Sequence, residues 1–339
     1  MVRVGIIGCG AVARKRHAPA CQAHERCEIA GFADTSVERA RELASLYATK
    51  AYPSMEAMLE DASVDAVCVC VPERFHLDVA VRCLRAGKDV LLEKPMAMNL
   101  EESEQIARVW RDSGRRLMIA FSQRFYAEHV LAKRLIEAGE IGRVLSFRTS
   151  LSNPGAEYGV LNADGQFYDK RLESIGGVML NVGCHRVDLT RYLFGAEIEA
   201  VLAYTPALGK RYSNGALINR EDHAMVTMRL SNGVVGTMWI SWCNYGAKDM
   251  DTWIFGERGT IRICEGKSVL LNHRDGEETR YALTPTEADL NGWSVVHSFL
   301  DSVASGQATA VSGEDGLSCM RVLDAIERSN AEGVWCRVL

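Results

Sequence analysis

No uninterrupted apolar stretch in this chain of 339 residues approaches the roughly 20 residues that cross a bilayer as a helix, which excludes a helical membrane protein. Runs of like charge are equally scarce. Lys+Arg number 39 against 44 Asp+Glu, a net charge of -5, so there is no electrostatic footprint for nucleic acid or an anionic surface, and a small-molecule partner is favoured. None of the 11 cysteines forms a Cys-x-x-Cys pair, and their odd number and scatter suggest neither a disulfide framework nor a metal site. Cys68 and Cys70 alternate with valines in AVCVCV and read as small hydrophobes on one face of a buried strand. Internal repeats and low-complexity segments are absent. No charged-then-apolar leader precedes the first apolar run, from which a soluble, cytoplasmic protein is expected.

What the chain does have is length enough for two domains, and a highly patterned start. Val2 to Asp34 reads as an apolar strand, the turn Gly8-Cys9-Gly10-Ala11-Val12-Ala13, a helix and a second strand ending in an acid, the order of a dinucleotide-binding βαβ unit. Gly8 would let the chain turn sharply out of the strand. Gly10 would let a pyrophosphate approach backbone N–H groups, and Ala13 fills the third small position. Asp34 can accept hydrogen bonds from both hydroxyls of an adenosine ribose and would repel a 2′-phosphate, which favours NAD over NADP. Arg14, Lys15, Arg16 and Arg39 lie near enough in sequence to reach such a phosphate, and so keep NADP open.

Short apolar runs continue to alternate with helix-period segments. Strands are expected at 66–71, 89–92 and 117–121 and helices at 36–47, 54–60, 75–86 and 100–113, which argues a doubly wound parallel sheet covered on both faces. The first domain is expected to span residues 1–122. After a helix near 126–138, residues 123–339 become strand-rich, with Ser231-Asn232-Gly233 as a hairpin signal and helices near 184–194, 291–304 and 314–330 to cover one face of a mainly antiparallel open sheet.

Two segments could carry chemistry. Lys94 in Glu93-Lys94-Pro95 follows the strand DVLL, and ligands of open α/β sheets bind beyond the carboxyl ends of the strands; an ammonium there could stabilise an alkoxide that develops as hydride leaves carbon. A solvated lysine before a loop proline is the equal alternative on spacing alone. In Gly176-Gly177-Val178-Met179-Leu180-Asn181-Val182-Gly183-Cys184-His185-Arg186-Val187-Asp188, a helix from about Leu180 would put Asn181, His185 and Asp188 on one face. His185 could act there as general base, against the reading of a helix histidine that only packs.

The chain resembles the glucose-fructose oxidoreductase, inositol dehydrogenase and MocA family of NAD(P)-dependent oxidoreductases. The resemblance is carried by VGIIGCGAVA, HLDVAVRCLRAGKDVLLEKPMAMN and GGVMLNVGCHRVDLTRYLFG, and covers essentially the whole chain. It implies a Rossmann domain followed by an α/β domain on an open, mostly antiparallel sheet that packs sheet to sheet in homodimers or homotetramers. It also implies an enzyme acting on sugars, polyols or their derivatives. The family's EKP lysine falls on Lys94 and its helix histidine on His185. The cofactor-binding residues implied are Gly8, Gly10, Ala11, Val12, Asp34, Pro72, His76, Glu93 and Lys94. Those implied for substrate are Gln123, Arg124, Tyr168, Asn181 and His185, with Lys94, His185 and Asn181 as the catalytic set.

One departure stands out: the family pattern has aspartate where this chain has Asn181, and an amide cannot remove a proton or hold an imidazolium by charge. The proton role then rests on His185, with Asn181 positioning a neighbouring hydroxyl. Arg124 could clamp a substrate oxygen, and Lys170 lies beside Tyr168 on a loop. Trp239 and Trp242 read as sheet packing, His17 and His76 as packing of the first domain near the cofactor, and Asp188 as a partner of His185 or Arg191. The expected reaction is reversible hydride transfer between nicotinamide and a carbinol carbon. A redox-assisted NAD-dependent lyase or glycosidase, and a non-catalytic NAD-binding regulator, are the alternatives.

Overall fold

The structure, a computed structural model, describes residues 1–155, 176–246, 248–264, 268–284 and 292–339. The first apolar runs form β1 (Val2–Ile7), β2 (Cys27–Ala33), β3 (Lys50–Ala51), β4 (Ala66–Val69), β5 (Asp89–Leu92) and β6 (Leu117–Ile119), an all-parallel sheet in the order β3-β2-β1-β4-β5-β6. Every residue of β4, β5 and β6 is buried, as cover on both faces requires. The strand order reverses between β1 and β4, the switch point at which such sheets open a crevice beyond their carboxyl ends.

The helices between these strands start where short polar side chains can cap them. Ser36, Ser54 and Asn99 accept from the backbone N–H of Arg39, Ala57 and Glu102 at the starts of α2 (Val37–Leu46), α3 (Met55–Glu60) and α5 (Leu100–Ser113). Gly114 ends α5 in the left-handed region, at φ 64°. α1 (Ala18–Ala23) is entered through a π-helical segment, Ala13–His17, and α4 (His76–Arg85) through a 3-10 turn, Glu73–Phe75.

The second sheet is built from β7 (Val144–Ser152), β8 (Ile198–Tyr204), β9 (His223–Leu230), β10 (Val235–Ser241), β11 (Thr252–Gly256), β12 (Gly259–Cys264), β13 (Ser268–His273), β14 (Glu278–Ala282) and β15 (Cys336–Arg337). Their order is β14-β13-β12-β11-β7-β10-β9-β8-β15, antiparallel throughout except that β10 runs parallel to β7. The Ser231-Asn232-Gly233 turn joins β9 to β10 with Gly233 at φ 84°, and Leu230 N–H donates to the Val234 carbonyl at 2.9 Å. α6 (Ala127–Glu137) and α7 (Cys184–Phe194) pack on this sheet and on each other, with Phe194 against Phe147 of β7 at 4.7 Å between ring centroids. The Phe147 ring occupies the space that Gly236 leaves by having no side chain.

The chain divides into two compact units, Met1–Phe125 with Pro285–Met320, and Tyr126–Thr284 with Arg321–Leu339. The sequence suggested a single division after residue 122; the difference is the segment before 320, which returns to the first sheet. α8 (Ser294–Ser305) buries Val295, Val296, Phe299 and Leu300 and packs against α1, β1 and β5. The chain then runs along β6: Arg116 Nε donates to the Gln307 carbonyl at 3.0 Å and Ile119 N–H to that of Val311 at 3.1 Å. Gly316, in α9 (Gly313–Glu332), sits where a Cβ would meet Ile119 and Met96. No described helix is long and apolar enough to cross a membrane.

Candidate active site

The turn after β1 requires its first glycine twice over. Gly8 has φ 91°, and a Cβ there would lie 2.6 Å from the Cys70 carbonyl oxygen, because the turn is pressed against the end of β4. At Gly10 the opposite holds: nothing lies within 4 Å of where a Cβ would be, so the backbone is open to an approaching group. Ala11 and Val12 are exposed on the first turn beyond it, and Ala13 is wholly buried against the sheet. Asp34, at the end of β2, closes the turn. Its Oδ2 accepts the Cys9 N–H at 2.7 Å and its Oδ1 the Ser36 N–H at 2.8 Å.

Oδ2 keeps a second lone pair for a ribose hydroxyl, while Oδ1 also receives the Thr35 hydroxyl at 3.4 Å. An open glycine cradle beside an acceptor-only side chain fits an adenine dinucleotide, and Gly8, Gly10, Ala11, Val12 and Asp34 are the residues that would hold it. Of the basic side chains nearby, Arg14 is committed to the Cys9 carbonyl at 3.1 Å and to Glu42 at 2.6 Å, while Arg39 approaches Asp34 itself at 3.4 Å. Burial, then the Asp34 charge, push the Cys9 thiol up to about 12, which removes it as a nucleophile.

The ends of β4 and β5 bring further predicted residues to the same edge of the first sheet. Pro72 is exposed and starts the 3-10 turn, its carbonyl accepting the Phe75 N–H at 2.9 Å. His76 is buried, with Nδ1 2.8 Å from the Pro95 carbonyl and Nε2 3.0 Å from that of Val71, so its ring bridges the loops after β4 and β5. Burial lowers its pKa, against the pull of those two carbonyls. Lys94 follows β5 half-buried, its backbone N–H donates to Glu93 Oε2 at 3.2 Å, and the Lys94–Pro95 peptide is cis. Gln123 is buried beyond β6. Arg124 donates to Asp315 Oδ1 at 2.9 Å, tying the end of β6 to the start of α9, an ion pair that nothing local in the sequence signals.

In the second unit the helix carrying Asn181 and His185 does not start as an ideal α-helix. Met179–Gly183 is π-helical and α7 follows it, so Asn181 lies in the wide turn and His185 at the start of the regular helix, both half-buried. Glu221, which sequence reasoning missed, organises that entry. Its backbone carbonyl accepts the Val178 N–H at 2.9 Å, its Oε1 the Met179 N–H at 3.2 Å, and its carboxylate fills the space over Gly177, where any Cβ would collide with it. Burial raises its pKa, against the backbone N–H groups that hold its charged form.

Arg186 is wholly buried, donating to the carbonyls of Ser150 at 3.1 Å and Met250 at 2.8 Å. Asp188 is wholly buried as well, Arg191 forks onto Glu197 with two bonds of 2.7 Å, and the Cys184 thiol faces the Asn181 carbonyl at 3.9 Å. Tyr168, Lys170 and most of the 151–174 loop lie outside the described residues. Trp242 is buried in the second unit and Trp239 is exposed on its sheet.

Among the described residues one group, Asp222, His223 and Cys243, brings metal-ligating atoms within 4.8 Å of one another. The Asp222 carboxylate is already occupied: it accepts N–H groups from Leu208 at 2.8 Å, Gly209 at 2.8 Å, Lys210 at 2.6 Å and the His223 ring at 2.7 Å, which takes all of its lone pairs. It works as the knot of the 208–210 turn.

Residues 2–121 match the oxidoreductase family with an NAD-binding Rossmann fold, and residues 129–262 the GFO/IDH/MocA C-terminal domain. Myo-inositol 2-dehydrogenase of Thermotoga maritima is 26% identical over 346 residues, covering 98% of this chain and 97% of that one. Levoglucosan dehydrogenase of Pseudarthrobacter phenanthrenivorans is 26% identical over 329 residues, covering 83% and 82%. The crystal structure of a probable dehydrogenase from Thermotoga maritima matches at 26% identity with a TM-score of 0.83, over 99% of both chains. The chain belongs to the GFO/IDH/MocA family of oxidoreductases, and its N-terminal domain is that family's NAD-binding Rossmann fold.

Proposed function

We propose that this protein is an NAD-dependent dehydrogenase that oxidises a carbinol carbon of a sugar, an inositol-like polyol or an anhydrosugar, or reduces the corresponding ketone. The observation that carries the reading is the convergence of the open Gly8–Gly10 turn, Asp34, Pro72, His76 and Lys94 at the carboxyl ends of strands around the switch point. The relatives named for myo-inositol and levoglucosan support the substrate class. Bound NAD supplies a hydride acceptor. Lys94 stabilises the negative charge that develops on the reacting oxygen, as a fixed cation can do well where water is displaced. His185 takes the hydroxyl proton, Asn181 orients a neighbouring hydroxyl by donating and accepting, and Gln123, Arg124 and Tyr168 complete the substrate contacts.

We also place the enzyme in the cytoplasm, where its eleven free thiols suit a reducing compartment, as a homodimer or homotetramer joined through the second sheet. The unit Tyr126–Thr284 with Arg321–Leu339 is then the substrate-binding and oligomerisation part of the chain, and Met1–Phe125 with Pro285–Met320 the cofactor part.

The test is NADH formation against a panel of inositols, aldoses and anhydrosugars at several pH values. Stoichiometric NADH with at least one polyol or sugar is expected. Silence across the panel by a protein that binds NADH overturns the dehydrogenase reading in favour of a binding protein, and product without NADH points to a redox-assisted elimination.

A further inference from the structure

Beneath Lys94 lies a buried pair of charged side chains that the reaction as proposed does not use. Glu93 is 7% exposed; its Oε1 accepts from His17 Nε2 at 2.8 Å, with the Arg16 guanidinium 4.0 Å away, and its Oε2 accepts the Lys94 backbone N–H at 3.2 Å. His17 is wholly buried in the π-helical segment that follows the glycine turn, so it reaches across the end of β4, past Cys70, to the end of β5. Burial works against a charged ring in His17, but Cys70 and Glu93 beside it raise its pKa. Burial works equally against a charged Glu93, but His17, then Arg16 and Lys94, hold its carboxyl below the usual carboxylate range.

A buried ion pair is a poor choice for stability alone. Desolvating two ions costs several kcal/mol each, and apolar residues of similar volume often pack as well or better. What this pair does that apolar residues could not is grip one backbone amide, that of Lys94, from the segment that carries the dinucleotide turn. A π-helical insertion at such a point is a frequent mark of function.

We propose that His17 and Glu93 are positioning residues for the reaction: His17 holds Glu93, and Glu93 fixes the backbone from which the Lys94 ammonium is presented. The inference rests on the role given to Lys94 above. Neither residue touches substrate, so their loss acts through Lys94.

The test compares His17→Leu, His17→Gln and Glu93→Gln with the parent, using NADH as the binding probe, steady-state kinetics with a polyol or sugar from the panel, and mass-spectrometric measurement of how fast Lys94 is acetylated by an amine-reactive ester. His17→Leu is expected to bind NADH within about threefold of the parent, and both His17→Leu and Glu93→Gln to lose about 10- to 100-fold in kcat with little change in KM for the polyol or sugar. The rate of Lys94 acetylation should change in the same two variants without cofactor or substrate present. His17→Gln, whose amide can still donate to Glu93, should recover most of the kcat. Should His17→Leu fail to fold, Glu93→Gln, which keeps the shape and removes the charge, carries the same comparison.

Parent-like kcat and acetylation in the folded variants overturns the inference. So does a joint fall in NADH affinity, kcat and thermal midpoint, the pattern of a merely structural pair. If Lys94→Ala is active while acetylation of Lys94 still changes in His17→Leu, the positioning stands and the catalytic role of Lys94 fails instead.

Discussion

Lys94 and Asn181 are the residues at which the proposed chemistry is most exposed to test. Lys94 lies half-buried at the carboxyl end of β5, on a different segment from the Gly8–Gly10 turn, so Lys94→Ala should lower kcat by about a thousandfold and leave NADH affinity within about threefold. Stopped-flow hydride transfer and NADH fluorescence separate the two quantities, and turnover near that of the parent removes Lys94 from the mechanism. At Asn181 the prediction concerns pH. An amide in the π turn cannot shift the ionisation of a nearby base by charge, whereas a carboxylate favours the protonated form of that base. Asn181→Asp should therefore move the acidic limb of kcat/KM for oxidation upward by about one pH unit while substrate still binds. An unchanged profile disconnects residue 181 from the ionising group.

These two residues, with Gly8, Gly10, Asp34 and His185, were legible in the sequence because each sits in a local motif. Glu221 was not, and His17 read only as packing of the first domain near the cofactor, without its partner. Glu221 is 44 residues from the Gly177 it covers, with nothing local to mark the pairing, and His17 becomes a partner of Glu93 only when β1, β4 and β5 line up. Long-range polar pairs of this kind leave no periodic trace in a single sequence.

At the scale of elements the period of apolar residues located nearly every strand and helix, and it failed where geometry departs from ideal. The π-helical segments at Ala13–His17 and Met179–Gly183 add width to a turn without breaking the apolar pattern, and two-residue strands such as β3 and β15 are too short to show alternation. The return of 294–320 to the first sheet was hidden for another reason: a helix with one apolar stripe does not say which sheet it covers. The loop 208–210 shows an element held by one side chain, since Asp222 satisfies three consecutive N–H groups and orients His223. The N–H groups resist protonation of that carboxyl against the effect of burial, so its pKa lies below the ordinary value. Asp222→Ala should cost about 3 kcal/mol in urea unfolding, because buried donors are left without acceptors. Asp222→Asn, which keeps one acceptor oxygen, should cost roughly half as much. Equal and small losses would mean that the turn is held by its backbone alone.

On the scale of the whole molecule, the face of the second sheet turned away from α6 and α7 asks for an explanation. Tyr204, Met225 and Trp239 are paired neighbours across β8, β9 and β10, and they remain 61%, 40% and 52% exposed. Scattered exposed apolar side chains need no explanation, but a row of three large ones across adjacent strands is the kind of patch that another surface covers. The three line a cavity of about 880 Å³ together with Trp253 and Arg148, where Arg262 donates twice to Asp251 at 2.8 and 2.6 Å. A second copy of the same sheet would bring an identical row and identical ion pairs, the self-complementary arrangement that a two-fold interface needs. Trp239→Glu places a charge in the middle of that row. Burying it unpaired would cost several kcal/mol, more than most interfaces can lose, while the side chain is free to stay in water in a single chain. Light scattering behind a sizing column should then report a mass near the 37.4 kDa of one chain in place of a multiple of it, with NADH affinity within about twofold of the parent because the dinucleotide turn belongs to the other unit. An assembly that keeps its mass in this variant removes the sheet face from the interface and leaves its aromatic row to another partner.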